Sequence, residues 1–186
     1  MGYKIFWFFT TLFVRLRIRK IGILSYVGRP LIVLGGKRIT IGNKVRMFPG
    51  ARLETHHNGE IIIKDNISVG QNLHLISSGE ALEIGSDTTI SGNVFITNIN
   101  HDFTEIGVHI LNQKYIVKTT KIGENCFLGY GAVIQAGTIL GKQCIVGANS
   151  VVRGSFPDYC VIVGAPAKIV KRYNFDTKAW ETEKHK

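Results

Sequence analysis

The sequence predicts an all-β chain: a parallel β-helix of hexapeptide repeats, about five coils over residues 41–157, with an amphipathic helix in a basic N-terminal segment (1–40) and a short C-terminal helix or tail (158–186). Three observations predict it. Aliphatic residues recur every six positions at Ile122, Leu128, Ile134, Leu140, Val146 and Val152. The residues that follow them are Gly123, Gly129, Gln135, Gly141, Gly147 and Arg153, and three positions further on stand Cys126, Ala132, Thr138, Cys144, Ser150 and Phe156, small in five cases of six. Finally, the same register runs through the first half at Ile41, Met47, Leu53, Ile63, Val69, Leu75, Ile84, Ile90 and Ile96. No helix has a period of six, and simple strand alternation has a period of two.

Grouped in threes, these positions begin at 41, 63, 84, 122 and 140, so successive starts differ by 22, 21, 38 and 18 residues. Eighteen residues close a triangular coil in which each hexapeptide supplies one short strand and one corner. The aliphatic residue points into the shaft, the small residue fits where the interior narrows, and glycine permits the tight backbone. Stacked coils pair as parallel strands ~4.8 Å apart. The excesses of 4, 3 and 20 residues all follow the third hexapeptide of a coil, so the insertions emerge from one edge of the prism. The longest, residues 102–121, is placed to carry function.

The 186 residues, 45% of them hydrophobic, suffice for one domain with appendages. The net charge of +10 is confined to one end: the first 53 residues hold 11 basic side chains and no acidic one, and the remainder is close to neutral. A field so localised argues against nucleic acid and suits lipid headgroups, a phosphorylated substrate or a protein partner. The apolar run from Ile5 to Val14 is too short to span a bilayer, which takes ~20 residues. Its basic cluster (Arg15, Arg17, Arg19, Lys20) follows it rather than preceding it, unlike a secretion signal. Ile5, Phe9, Leu12 and Leu16 fall at helical spacing, which leaves packing on protein and peripheral membrane contact through residues 3–20 equally open. Three cysteines, Cys126, Cys144 and Cys160, without a Cys-x-x-Cys pair, predict a reduced cytoplasmic protein. Cys126 and Cys144, 18 apart, are expected to stack on adjacent coils as buried filler.

From Ile41 to Val170 the pattern resembles the hexapeptide-repeat transferases, and the resemblance implies a left-handed β-helix and a homotrimer. Its most specific stretches are Ile145–Arg153 (IVGANSVVR) and Val163–Lys171 (VGAPAKIVK). Arg172-Tyr173-Asn174-Phe175 with Trp180 is similar to the bacterial O-antigen and capsule O-acetyltransferases of that family. Val94 to Phe103 (VFITNINHDF) matches the family's active-site strand, which makes His101 the implied catalytic base. The resemblance further implies acetyl-CoA as co-substrate, with Phe127 and Tyr130 near the pantetheine, Ala148 and Arg153 along the arm, and Lys168 and Lys171 near the phosphates. Backbone N–H groups near Gly129 and Tyr130 are the implied oxyanion donors. Gly70 stands where the branch acting on free sugars has an acceptor-binding Asn, and Asn72 is the substitute.

The chemistry fits such an assignment. A sugar hydroxyl is a poor nucleophile near neutral pH, so transfer from a thioester needs a base within hydrogen-bond reach, and histidine with its ordinary pKa of ~6.5 serves. The expected activity is direct transfer of acetyl to a hydroxyl of a surface glycan or its precursor, with no metal, in the cytoplasm or at the inner face of its membrane. The alternative is an N-acetyltransferase acting on a nucleotide-linked amino sugar, although the forty residues before Ile41 leave little room for the nucleotide-binding domain such enzymes often carry. A carbonic anhydrase on the same prism needs three zinc-binding histidines. His56, His57, His74, His101, His109 and His185 do not form that family's spaced set.

Overall fold

The computed structural model describes residues 2–183, with side chains from Trp7 onward; the side chains of residues 3–6 and His185 lie outside the described residues. The chain coils into a left-handed prism with three parallel sheets as its faces. The first face has seven strands, the second seven parallel strands extended by two antiparallel ones, and the third six. All fifteen register positions point into the shaft, and none is more than 2% exposed. At the first corner of successive coils Leu24, Lys44, Asn66, Asp87, Asn125, Gln143 and Tyr159 take left-handed backbone angles, φ between 49° and 61°. That conformation lets a connection of a few residues turn the chain between faces. Gly129 faces the backbone of the next coil, where a Cβ would stand 2.6 Å from the Ala148 nitrogen, so no side chain fits there.

The prism begins one coil earlier than expected. Lys20–Ile21 pairs with Ile39–Ile41, Tyr26–Val27 with Arg46–Met47, and Ile32–Leu34 with Arg52–His56, so Ile21, Val27 and Val33 continue the register that started at Ile41. The six-residue spacing is visible in the sequence, but exposed aliphatics at Ile23, Leu24, Leu31 and Ile32 blur it. Of the described residues before the first coil, the helix α1, Gly2–Arg15, stands outside it. It covers the edge that the first coil leaves unpaired on the second face: the Val27 N–H donates to the Thr11 hydroxyl at 2.8 Å, and the Thr10 hydroxyl donates to the Val27 carbonyl at 2.7 Å. Buried backbone groups at a sheet edge need such partners. The helix register also differs from the sequence reading, because Trp7, Thr11 and Val14 face the body while Phe9, Leu12 and Leu16 face out.

At the other end the expected helix or tail is a set of antiparallel strands. Cys160–Gly164 completes a seventh strand of the second face, turns at the cis Ala165–Pro166 bond, and pairs with Ala167–Asn174, which pairs with Ala179–Thr182. Tyr173 packs on Trp180 (ring centroids 5.5 Å apart) and on Phe175 (5.1 Å), and these aromatic contacts suit a sheet surface. The thiols stack as the register requires and the ladder has a third rung: Cys144 and Cys160 sulfurs are 3.6 Å apart, and all three cysteines are free and buried. Their hydrogen bonds with Cys144, together with burial, push the Cys126 and Cys160 thiols up, which keeps them protonated filler.

Candidate active site

All three insertions leave the prism at the edge between its third and first faces. Two are short turns, between Arg52–His56 and Glu60–Ile63 and between His74–Ser78 and Ala81–Ile84. The third is a hairpin arm in which Ile99–His101 pairs antiparallel with Tyr115–Val117. Asn98, fully buried, fastens its root: its side chain accepts from the Ser78 N–H (2.9 Å) and donates to the Ser78 (3.1 Å) and Glu80 (3.2 Å) carbonyls, while its own carbonyl accepts from the Lys118 N–H (2.8 Å). The loop at the arm's end is tied by Gln113, whose amide donates to the Glu105 and Val108 carbonyls.

His101 therefore sits three residues beyond a buried anchor, at the end of a strand. Its ring packs edge-on against Tyr115, its cross-strand partner, with centroids 4.9 Å apart. Its Nδ1 is buried with no hydrogen-bond partner among the described residues. The ring opens on a cleft of about 440 Å³ lined by Asn100, Phe103, Lys118, Gln135 and Arg153 among others. On the opposite flank of the arm a second cleft, about 750 Å³, lies between Tyr115 and the two shorter insertions with His56, His57 and Gly79. Tyr115, Asn98, Lys118 and Gln135 escaped the sequence reading. The signal for Tyr115 was available in the β-favouring run Tyr115-Ile116-Val117, but its partner strand was not.

The other expected contacts divide between two places. Phe127, Ile145, Val161 and Lys171 are successive Cα partners across the outside of the second face, with Lys168 on the same final strand. Tyr130 and Ala148, both exposed, lie at the corner where that face meets the third. Arg153, by contrast, shares the cleft of His101 and does not lie along this row. Within one chain the second-face row and His101 are thus on opposite sides of the third face. The Gly129 N–H already donates to the Val146 carbonyl at 2.8 Å, which commits it to the coil. Asn72 is also a corner residue, with φ 57° and its amide donating to Asn93 at 2.9 Å; Asn93 in turn bonds the Tyr130 hydroxyl.

A compact polar cluster lies on the third face near the second cleft. Glu54, 5% exposed, meets Arg52, His56 (3.2 Å) and His74 (3.8 Å). Burial pushes the Glu54 pKa up, but the hydrogen bonds from Arg52 and His56 outweigh it and hold the carboxyl below its ordinary value. Burial and the Arg52 charge lower the His74 pKa, against the smaller pull of Glu54. A depressed folded-state pKa contributes stability above the unfolded value, and that contribution is lost as pH falls through the folded one. Glu54→Gln is therefore expected to lower Tm by a few degrees at pH 7, with the difference from wild type closing below about pH 4, the ordinary carboxylate range. Paired melting curves across pH 3–8 measure it. Among the described residues no group of three or more His, Cys, Asp or Glu side chains is arranged to hold a metal ion.

A coiled prism with one histidine-bearing arm defines a class, and comparison with known proteins identifies it. A family model described as the hexapeptide repeat of succinyl-transferase matches residues 119–153. The chain is 37% identical over 163 residues, 82% of its length and 81% of the relative's, to the putative lipopolysaccharide biosynthesis O-acetyl transferase WbbJ of Escherichia coli K12. The chain belongs to the hexapeptide-repeat acetyltransferases and is an acetyltransferase. Among solved structures its fold is similar to a variant of AntD, an N-acyltransferase from Bacillus cereus in complex with dTDP and coenzyme A (TM-score 0.74, 16% identity, 90% of each chain), and to galactoside acetyltransferase in complex with coenzyme A (TM-score 0.64, 20% identity, 95% of this chain and 76% of that one).

Proposed function

We propose that this protein transfers acetyl from acetyl-CoA to a sugar hydroxyl of a surface glycan or its precursor, with His101 as general base. The observation that carries the reading is His101 itself, held at the arm's root on the wall of a cleft, with an Nδ1 unpaired among the described residues and a cationic neighbour, Arg153, in the same cleft. The naming of WbbJ supports the O-acetyl outcome. In the reaction the acceptor oxygen attacks the thioester carbonyl as its proton passes to the His101 imidazole; the tetrahedral adduct collapses with loss of the CoA thiolate, which takes that proton back. Positive charge from Arg153 and Lys118 stabilises the oxyanion.

The coenzyme follows the second-face row, its pantetheine over Phe127, Tyr130 and Ala148 and its phosphates near Lys168 and Lys171. That row and His101 lie on different edges of one chain, so a single site needs a neighbouring copy, which supports a homotrimer. The arm's end supports it too: Ile106 is 95% exposed, Phe103 73% and Leu111 69%, apolar side chains that a second subunit would cover. The test is acetyl-CoA consumption, followed as released thiol, with sugar acceptors that carry or lack an amino group. Turnover on hydroxyl-only glycans is the expected result, and turnover confined to amino sugars would transfer the protein to the N-acetylating class.

A further inference from the structure

The helix Gly2–Arg15 lies across the N-terminal end of the prism. Its inner face is fixed: Trp7 packs on Tyr26 (5.6 Å) and Phe48 (4.8 Å), the two threonine hydroxyls satisfy Val27, and Val14 and the following Ile18 join the core. It acts as a solenoid cap, and caps ordinarily turn a polar face outwards because nothing stacks on them. This one does the reverse. Phe9 is 55% exposed, Phe13 72% and Leu16 76%, and Leu31 of the first coil, 72% exposed, joins Phe13 and Leu16 around an open cleft of about 580 Å³.

The charge around this patch decides what covers it. Arg17 and Arg29 line the same cleft, both exposed, and no acidic residue occurs in the chain before Glu54. A second copy laid face to face on this patch would bring the two sets of arginines together, a like-charge contact that disfavours the pairing. An anionic bilayer surface offers the complement on both counts, an acyl boundary for the aromatic and aliphatic groups and phosphates for the guanidinium groups. No helix among the described residues is long and apolar enough to cross a membrane, so contact at this end is peripheral.

We propose that the N-terminal end of the prism docks on an anionic membrane surface, with Phe9, Phe13 and Leu16 entering the headgroup–acyl boundary and Arg17 and Arg29 at the phosphates. His101 follows the fourth coil, three coil spacings or about 14 Å above the first, so docking holds the arm close above the surface. Binding is read without substrate and does not depend on which acceptor is acetylated.

The experiment is co-sedimentation of the full chain with vesicles of mixed phosphatidylglycerol and phosphatidylcholine, and with vesicles of phosphatidylcholine alone. The protein is expected to pellet with the anionic vesicles, to remain largely in solution with the neutral ones, and to be released by high salt. Arg17→Glu with Arg29→Glu is expected to weaken binding about tenfold or more, since each basic side chain near such a surface contributes roughly a factor of five. Phe9→Asp with Phe13→Asp and Leu16→Asp is expected to abolish it while acetyl transfer and Tm persist. Should the aspartates loosen the cap and lower Tm, the arginine pair, which leaves the apolar face intact, still decides. Wild-type protein that stays in solution with both vesicle types overturns the proposal, as does wild-type binding by the arginine variant. Self-association in sedimentation velocity that the aspartates abolish, without vesicle binding, would assign the patch to a second copy instead.

Discussion

Replacing His101 by alanine is expected to lower kcat for acetyl transfer roughly 100- to 10,000-fold, the range a positioned general base contributes. The fold should not register the change. The His101 ring is half-buried, its Nδ1 makes no hydrogen bond among the described residues, and its ring contact is with Tyr115 on the arm rather than with the shaft. Tm and the KM for acetyl-CoA are therefore expected to stay near wild type, because the coenzyme is proposed to be held by the second-face row of a neighbouring copy, with His101 meeting only the reacting end. Steady-state thiol release and a melting curve on the same preparation provide the check. Full transfer by the variant would remove His101 as the base and leave the fold assignment untouched.

Asn98→Ala is expected to give the largest loss in which stability and activity fall together. The side chain serves three buried or partly buried backbone groups, the Ser78 N–H and the Ser78 and Glu80 carbonyls, and alanine leaves them without it. Each buried polar group left unpaired costs about 1–3 kcal/mol. With part of the penalty relieved by water, a net loss of about 3 kcal/mol corresponds to a fall in Tm of roughly 6–12 °C for a chain of this size. Since His101 follows three residues later, kcat should drop as the arm loosens, while a conservative Asp in place of Asn restores only the accepting half of the pattern. An unchanged Tm would mean that the arm is held by the prism strands alone.

The spiral was legible because inward aliphatics at strict sixfold spacing, such as Ile84, Ile90 and Ile96, have no other compact arrangement. The shared edge of the three insertions was legible for the same reason, since an excess over 18 residues must leave the coil where the count breaks. The register failed at the ends. Ile21, Val27 and Val33 keep the spacing, yet exposed neighbours gave the first coil the look of a helical or linker segment. In α1 the sequence offered two apolar faces, and only the body's unpaired Val27 edge selected the Trp7 and Thr11 face for burial.

For the site, the sequence by itself determined that His101 stands at the root of the longest insertion, since chain order and coil count fix both. It could not determine that Arg153 shares the cleft of His101 while Phe127 and Lys171 lie on another face, or that Asn98 and Tyr115 hold the histidine in place. Local periodicity reports which way a side chain points from its own strand. Which side chains meet depends on where each coil stacks on the next and where the arm folds back, and those are properties of residues 10 or more apart that only the assembled prism brings together.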